Sequence, residues 1–206
     1  WTHTDAPFRT ARDLVEAARE RGGTFRMGGS QARDTDHILT KLIERATGVT
    51  FTYVPFRSGG EVAVQLAGGH VDANTNNPAE NVGQWRAGRV RPLCVFNPQR
   101  LTLTEKVHNN VGWSDIPTST EAGIGPADFR MPRTVWLPAR TTDAQAAFWT
   151  QLLGRVRETP EWKAWLESGS QGALWQTGAE LAEFIRRDEA TNREHFRDYG
   201  WLVEQG

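Results

Sequence analysis

The feature that most constrains this fold is an alternation. Between residues 24 and 96, short β-rich stretches and stretches of helical period follow one another, separated by turns of a few residues. "TFRM" (24–27), "VTFTYV" (49–54), "HVDANT" (70–75) and "RPLCVF" (91–96) carry the branched and aromatic side chains of strands. Between them, Ile38, Leu39, Leu42, Ile43 and Ala46 form one stripe of a helix predicted over about Asp36 to Thr47, with Gly48 as its stop. "SGGEVAVQLAGG" (58–69) predicts a short helix, and Asn77-Pro78 caps and opens another that runs to about Ala87. An earlier helix over 8–21 carries Leu14, Val15, Ala17 and Ala18 and ends at Gly22-Gly23. Strands joined by helices through short turns pair in parallel, because each crossover carries the chain back over the sheet face. The expected class is α/β, with a parallel-rich sheet flanked by helices. Pro55 is expected to end the second strand.

Beyond residue 97 the pattern changes. "TLTEKVHNNVGWSDIPT" (102–118) reads as a loop, followed by a short helix with a Thr118/Glu121 capping box. "FRMPRTVWLPAR" (129–140) reads as an extended segment interrupted by proline. Helices are predicted over 143–157 with a Thr142/Gln145 box, 160–168 from Pro160, and about 178–199 with a Thr177/Glu180 box. On the last, Leu181, Phe184 and Ile185 share a face. The chain thus divides into an α/β ligand-binding part, 8–128, and a crossing segment with C-terminal helices, 129–206.

Composition narrows the function. Lysine plus arginine number 24 against 25 aspartate plus glutamate, so no basic field invites nucleic acid. No apolar run reaches the length of a membrane span, so a soluble chain is expected. The one cysteine, Cys94, cannot form an internal disulfide or a cysteine-based zinc site. "WTHTDAPFRTARD" lacks the basic start and apolar stretch of a signal peptide, so the chain is expected to begin after processing or to be part of something longer. The nine tryptophans read first as core and helix-packing anchors, and second as platforms for an aromatic ligand.

In an open α/β sheet, ligands sit beyond the carboxyl ends of the strands. Three turns there are unusually polar: Gly28 to Asp36, Pro55 to Gly60, and Asn74 to Pro78. Glycines let backbone N–H groups approach a ligand, and a helix N-terminus offers unpaired donors with partial positive charge. Three or four hydrogen bonds to a carboxylate, about 1.5–3 kcal/mol each, hold a small acid at micromolar affinity without catalysis. Each turn also has a plainer reading: Asp34 or Thr35 as a helix cap, Gly59-Gly60 as a turn, the asparagines as a strand-to-helix cap, Arg33 and Arg57 as solvated surface.

Sharper chemistries fit less well. "GGSQA" approaches the G-x-S-x-G nucleophile turn, but Ala32 ends it and no Asp-then-His pair follows in place. "DTDH" offers Asp34, Asp36 and His37 without a second histidine nearby for a metal. "SGGEVAVQLAGG" lacks the lysine of a phosphate loop. Binding is favoured over catalysis, and no cofactor or metal is expected.

Taken together, "GGSQARDTDHILTKLI", "VPF..GGE", "LAGGHVD", "AGRVRPL", "DIPTSTEAGI" and "LPAR" occur in an order that resembles the TctC, or Bug, family of periplasmic solute receptors for tripartite tricarboxylate transporters. The resemblance covers nearly the whole chain from about Asp5. It implies a class II periplasmic-binding-protein-like fold with one complete lobe, the family's second, and tail helices belonging to an incomplete first lobe. It further implies a small organic carboxylate as ligand (a di- or tricarboxylate, or an aromatic acid), membrane transporter subunits as partners, and a periplasmic location. Carried over by position, Ser30, Gln31, Arg33, Thr35, Asp36, Phe56, Arg57, Ser58, Gly59, Gly60, Asn76 and Asn77 would bind the ligand. Gln31 and Arg33 stand where the family prefers glycine. The incomplete lobe would leave apolar stripes on 143–157 and 178–199 for a protein partner or a second copy of the chain. An interaction module, or an esterase-like enzyme using Ser30, are the alternatives.

Overall fold

The computed structural model describes residues 1–203. It is an α/β fold whose contacts cluster into two units, Trp1–Pro132 with Ser168–Ser170, and Arg133–Glu167 with the residues from Gln171 onward.

The first unit is built on a five-stranded sheet. In chain order its strands are β1 (Thr2–His3), β2 (Arg26–Ser30), β3 (Thr52–Phe56), β4 (Ala73–Asn74) and β5 (Val90–Arg91). In space the order is β3-β2-β4-β1-β5. β2 pairs in parallel with β3, Ser30 opposite Phe56, and with β4, Gly28 opposite Asn74. β1 runs antiparallel to both β4 and β5, so the sheet is mixed rather than all-parallel. The Arg91 guanidinium fixes the segment after β1 by donating to the carbonyls of Thr4, Ala6 and Phe8.

Helices form where the caps and stripes place them. α1 (Ala11–Arg21) opens with a Thr10/Asp13 capping box and ends at left-handed Gly22. α2 (Thr35–Thr47) is capped by Asp34 and ends at left-handed Gly48. α3 (Gly59–Ala67) is capped by Ser58, and α4 (Pro78–Arg86) opens at Asn77-Pro78. Leu14, Val15, Leu39 and Ile43 from α1 and α2 pack with Phe25, Met27 and Phe51 into one core. Leu66 from α3 and Trp85 from α4 pack with Val71, Val90 and Trp113 into a second. In that second core Trp1, Trp85 and Trp113 meet edge to face at 4.9–5.9 Å, the anchoring role expected of tryptophan, whereas Trp136, Trp149, Trp162, Trp165 and Trp175 are exposed and do not fill it.

Several boundaries depart from the sequence reading. Gly28 and Gly29 lie inside β2, not in the loop after it. A side chain at Gly29 would run into the Tyr53 hydroxyl and press within 2.7 Å of the Asp36 Cβ, so this glycine serves packing against the neighbouring strand and the helix. β3 runs through Pro55 instead of stopping there. It is an edge strand, and an edge tolerates a residue without an N–H. The strand expected over 91–96 is cut short at Pro92, and Val95 makes only an isolated bridge to Thr118. The loop expected over 102–118 contains a hairpin, β6 (Lys106–His108) and β7 (Val111–Gly112), and a 3₁₀ turn at Trp113–Asp115. Asn109 and Asn110 both have positive φ, the backbone of a two-residue hairpin turn. A short helix, α5 (Ser119–Ala122), carries its Thr118/Glu121 box as expected.

The second unit consists of α6 (Asp143–Val156), with the Thr142/Gln145 box, α7 (Pro160–Ser168) and α8 (Gly178–Asp198). The Thr177/Glu180 box does not form; Glu180 accepts from the Gln176 amide at 3.1 Å instead. These helices bury no residue, and Phe148, Trp149 and Trp165 are exposed.

Gly29→Ala is expected to lower stability to urea by about 1–3 kcal/mol through overpacking. Gly60→Ala, with nothing nearer than Ser58 Oγ at 4.0 Å, is expected to stay within about 1 kcal/mol of the parent.

Candidate functional site

The parallel pairing of β2 with β3 and β4 brings three strand ends, and the starts of α2, α3 and α4, to one edge of the sheet. All the sequence-predicted site residues lie at the strand ends, turns and helix starts along this edge, but their side chains differ in what they are free to do.

On the first connection, the buried Asp36 carboxylate accepts from both the N–H and the hydroxyl of Ser30, at 2.7 and 2.8 Å. Ser30 therefore holds α2 against the end of β2, its hydroxyl donated to Asp36. The Asp34 side chain accepts from the Thr35 N–H at 2.7 Å. Between them the backbone turns sharply: Gln31 and Arg33 have φ of 48° and 62°, the left-handed region. For an L residue this costs about 1–2 kcal/mol, which gives a physical reason for glycine to be favoured at both positions. The turn is braced on two sides. The Tyr53 hydroxyl donates to the carbonyls of Ser30 and Gln31 at 3.0 and 2.9 Å, and the Arg33 N–H donates to His37 Nδ1 at 3.1 Å. The His37 and Tyr53 rings stack at 4.0 Å. Burial first, then Asp36 and Asp34, keeps the Tyr53 phenol un-ionised, and burial lowers the pKa of His37.

On the second connection, Phe56 closes the ladder by accepting from the Gln31 N–H at 2.8 Å. Ser58 Oγ caps α3 by accepting from the Glu61 N–H, and the Glu61 carboxylate accepts from the Arg57 N–H at 3.1 Å. Gly59 is buried against the Glu80 carboxylate, which occupies the space of any side chain there. Gly60 is exposed. Among the described residues, the N–H groups of Gly59 and Gly60 have no acceptor.

On the third connection, the Asn76 side chain is buried and donates to the Gly59 carbonyl at 2.6 Å and to Asn81 Oδ1 at 3.0 Å. It fixes the third connection to the second. The Asn77 N–H donates to the Glu80 carboxylate at 2.9 Å.

A pattern emerges that the sequence reading did not contain. Four carboxylates, Asp34, Asp36, Glu61 and Glu80, each take a backbone N–H of these connections. The edge is thus locally acidic, and the Gly59 and Gly60 amides and the Arg33 and Arg57 guanidiniums are among the donors it leaves without a carboxylate partner among the described residues. The Ser58-x-x-Glu61 and Asn77-x-x-Glu80 spacings carried a readable signal of this. The six-residue reach from Ser30 to Asp36 carried none. Among the described residues, no group of three or more His, Cys, Asp or Glu is placed to hold a metal ion. A cavity of about 390 Å³ near the start of α1, lined by Arg9, Arg12 and Glu121 among others, shares no residue with this edge.

The fold is that of periplasmic solute-binding proteins. A TctC solute-binding protein from Polaromonas superposes with a TM-score of 0.71 at 24% identity, over 96% of this chain and 64% of its own. A protein of R. palustris solved with adipate gives 0.75 at 23%, over 96% and 63%. MatC of Rhodopseudomonas palustris with bound malate gives 0.72 at 16%, over 94% and 64%. The chain belongs to the tripartite tricarboxylate transporter family receptor family, TctC, whose model matches residues 2–196. Protein BugT of Bordetella pertussis is 29% identical over 174 residues, 81% of this chain and 48% of BugT. An Agrobacterium vitis UPF0065 protein is 23% identical over 137 residues, 66% of this chain and 37% of its own length. The chain therefore spans about a third to a half of these curated relatives.

Burial raises the Asp36 pKa, opposed by the two Ser30 hydrogen bonds and assisted by Asp34. A carboxyl whose pKa is higher folded than unfolded favours folding most when protonated. Stability from this group therefore falls as pH rises from its ordinary value of about 3.9 through the raised value. Asp36→Asn keeps an acceptor for Ser30 and is expected to abolish this fall in urea titrations across pH. Asp36→Ala leaves Ser30 unpaired and is expected to cost about 1–3 kcal/mol at neutral pH.

Proposed function

We propose that the chain is a solute receptor for a small organic carboxylate, acting in the periplasm for a tripartite tricarboxylate transporter. The observation that carries this reading is the edge itself: unpaired Gly59 and Gly60 amides at the start of α3, beside the unpaired Arg57 guanidinium. Oriented N–H groups at a helix start and a guanidinium are the donors that suit a carboxylate. The malate and adipate in the two R. palustris structures favour the same ligand class. Ser30, Thr35 and Asp36 act in this reading as the frame that holds the first connection, while Asn76 and Asn77 hold the third. The ligand binds without chemical change, and the loaded receptor docks on the membrane subunits.

The exposed apolar side chains of α6–α8, Phe148, Trp149 and Trp165 among them, favour a second reading in which this unit works as a self-association surface. Light scattering across a concentration series tests it: a dimer supports it, and a monomer at high concentration excludes it.

Isothermal calorimetry with malate and adipate tests the receptor reading. Binding is expected, and Arg57→Ala is expected to weaken it about 10–100-fold, the worth of one charged hydrogen bond. Affinity should also fall with added salt. Failure of every di-, tri- and monocarboxylate to bind the unaltered chain would overturn the reading.

A further inference from the structure

His37 is the side chain of this edge whose hydrogen-bonding sense reverses close to neutral pH. It sits in the first turn of α2, and its Nδ1 accepts the Arg33 N–H at 3.1 Å. An accepting Nδ1 is unprotonated, so with this bond made the imidazole is neutral and carries its proton on Nε2. The ring lies flat on Tyr53, with centroids 4.0 Å apart and planes 2° from parallel. Tyr53 in turn holds the far side of the connection, its hydroxyl donating to the carbonyls of Ser30 and Gln31 at 3.0 and 2.9 Å. Between these two braces Gln31 and Arg33 have positive φ, a conformation that an L residue keeps only while its surroundings hold it.

Within the first unit, charged and titratable groups face the ring from three elements. Lys41 and Glu44 lie one and two turns further along α2 and pair with each other at 2.6 Å. Arg33 acts on the ring from the connection, and the Tyr53 phenol covers it from β3. Asp34 and Asp36 on the same connection are engaged with Thr35 and Ser30; burial first, then these two carboxylates, keeps the phenol un-ionised. Burial first, then Lys41 and Arg33, lower the His37 pKa, and Glu44 opposes them. Protonation acts oppositely on the two contacts of the ring. A cationic imidazole gains from the face of Tyr53, so the stack survives. A protonated Nδ1 points its own N–H at the Arg33 N–H, so the hydrogen bond does not.

We propose that His37 is a pH-operated latch on the first connection: neutral, its Nδ1 closes the turn at Arg33, and protonated, it releases Arg33 while the ring stays on Tyr53. The release is local. Ser30 remains tied to Asp36, and the Gln31 N–H remains on the Phe56 carbonyl at 2.8 Å, so the turn opens at Arg33 and the ladder of β2 with β3 does not. A histidine whose pKa is lower folded than unfolded stabilises the fold when neutral. Its contribution is complete above about pH 6.5 and is lost as pH falls through the lowered value, so acid opens the latch. The latch does not depend on what the edge binds.

The test is a pH series of ¹H–¹⁵N amide and ¹H–¹³C histidine-ring spectra on the 206-residue chain, from about pH 8 to about pH 5. The Arg33 amide shift is expected to inflect at the midpoint of the His37 ring, below about 6.5, while the Ser30 amide does not inflect there. Arg33 amide protection, corrected for the intrinsic exchange rate at each pH, is expected to fall about two- to tenfold across the same midpoint, the worth of one hydrogen bond. His37→Asn offers an acceptor that does not titrate and is expected to flatten the Arg33 profile. His37→Phe keeps a ring on Tyr53 without an acceptor and is expected to hold the Arg33 amide at its acid position at every pH. The unaltered chain alone decides the matter if a variant fails to fold. An Arg33 amide that stays flat while the His37 ring titrates overturns the latch. So does an inflection that persists in His37→Asn, or a Ser30 amide that is released together with Arg33.

Discussion

The first connection of the sheet depends on one buried carboxylate. Asp36 reaches back across six residues to accept both the amide and the hydroxyl of Ser30. By doing so it joins the end of β2 to the start of the helix that follows. Gly29 exists as glycine because the Tyr53 hydroxyl, lying where a side chain would begin, and the Asp36 Cβ, 2.7 Å from that point, leave no room. The left-handed turn through Gln31 and Arg33 is the path left to a chain whose two ends are fixed so closely. Tyr53 and His37 then brace that path from the adjacent strand and from α2.

This closure sorts the polar residues of the edge into two kinds. Ser30, Asp36 and the Asn76 amide nitrogen hold the structure through side-chain hydrogen bonds, and the Thr35 N–H is held by Asp34. Gly59, Gly60, Arg33 and Arg57 retain unpaired donors. A scaffold that satisfies its own loops with carboxylates leaves an acidic rim, so affinity for an acid must come from the few donors left over. Buried donors without partners are costly, and exposed ones become useful when a ligand excludes water from them. The binding surface proposed here is accordingly narrower than the list of polar turn residues.

Much of this architecture was legible in the sequence. The helix limits at Gly22, Gly48 and Pro78, and the boxes at Thr118 and Thr142, are local signals, and the structure honours them. The strands were harder because pairing is not local. Nothing near Thr2 announced that it would sit antiparallel between β4 and β5. Pro55 reads as a strand end until the strand is known to lie at the sheet edge. Asn109-Asn110 carried the signal of a tight hairpin turn, but the flanking residues lacked the alternation that makes such turns conspicuous. The edge loops were visible as polar; which groups were already engaged was not, because a serine free for a ligand and one tied to an aspartate six residues away have the same letters.

The central claim is that a carboxylate is held by the start of α3, while the Ser30 connection serves as frame. Amide chemical shifts followed by ¹H–¹⁵N correlation spectra during a malate titration test it most directly. The account predicts saturable shifts concentrated at Arg57, Gly59 and Gly60, with the Thr35 amide, already held by Asp34, moving far less. Shifts centred on Ser30 and Thr35 with Gly59 and Gly60 unmoved, or confined to residues away from this edge, would contradict it.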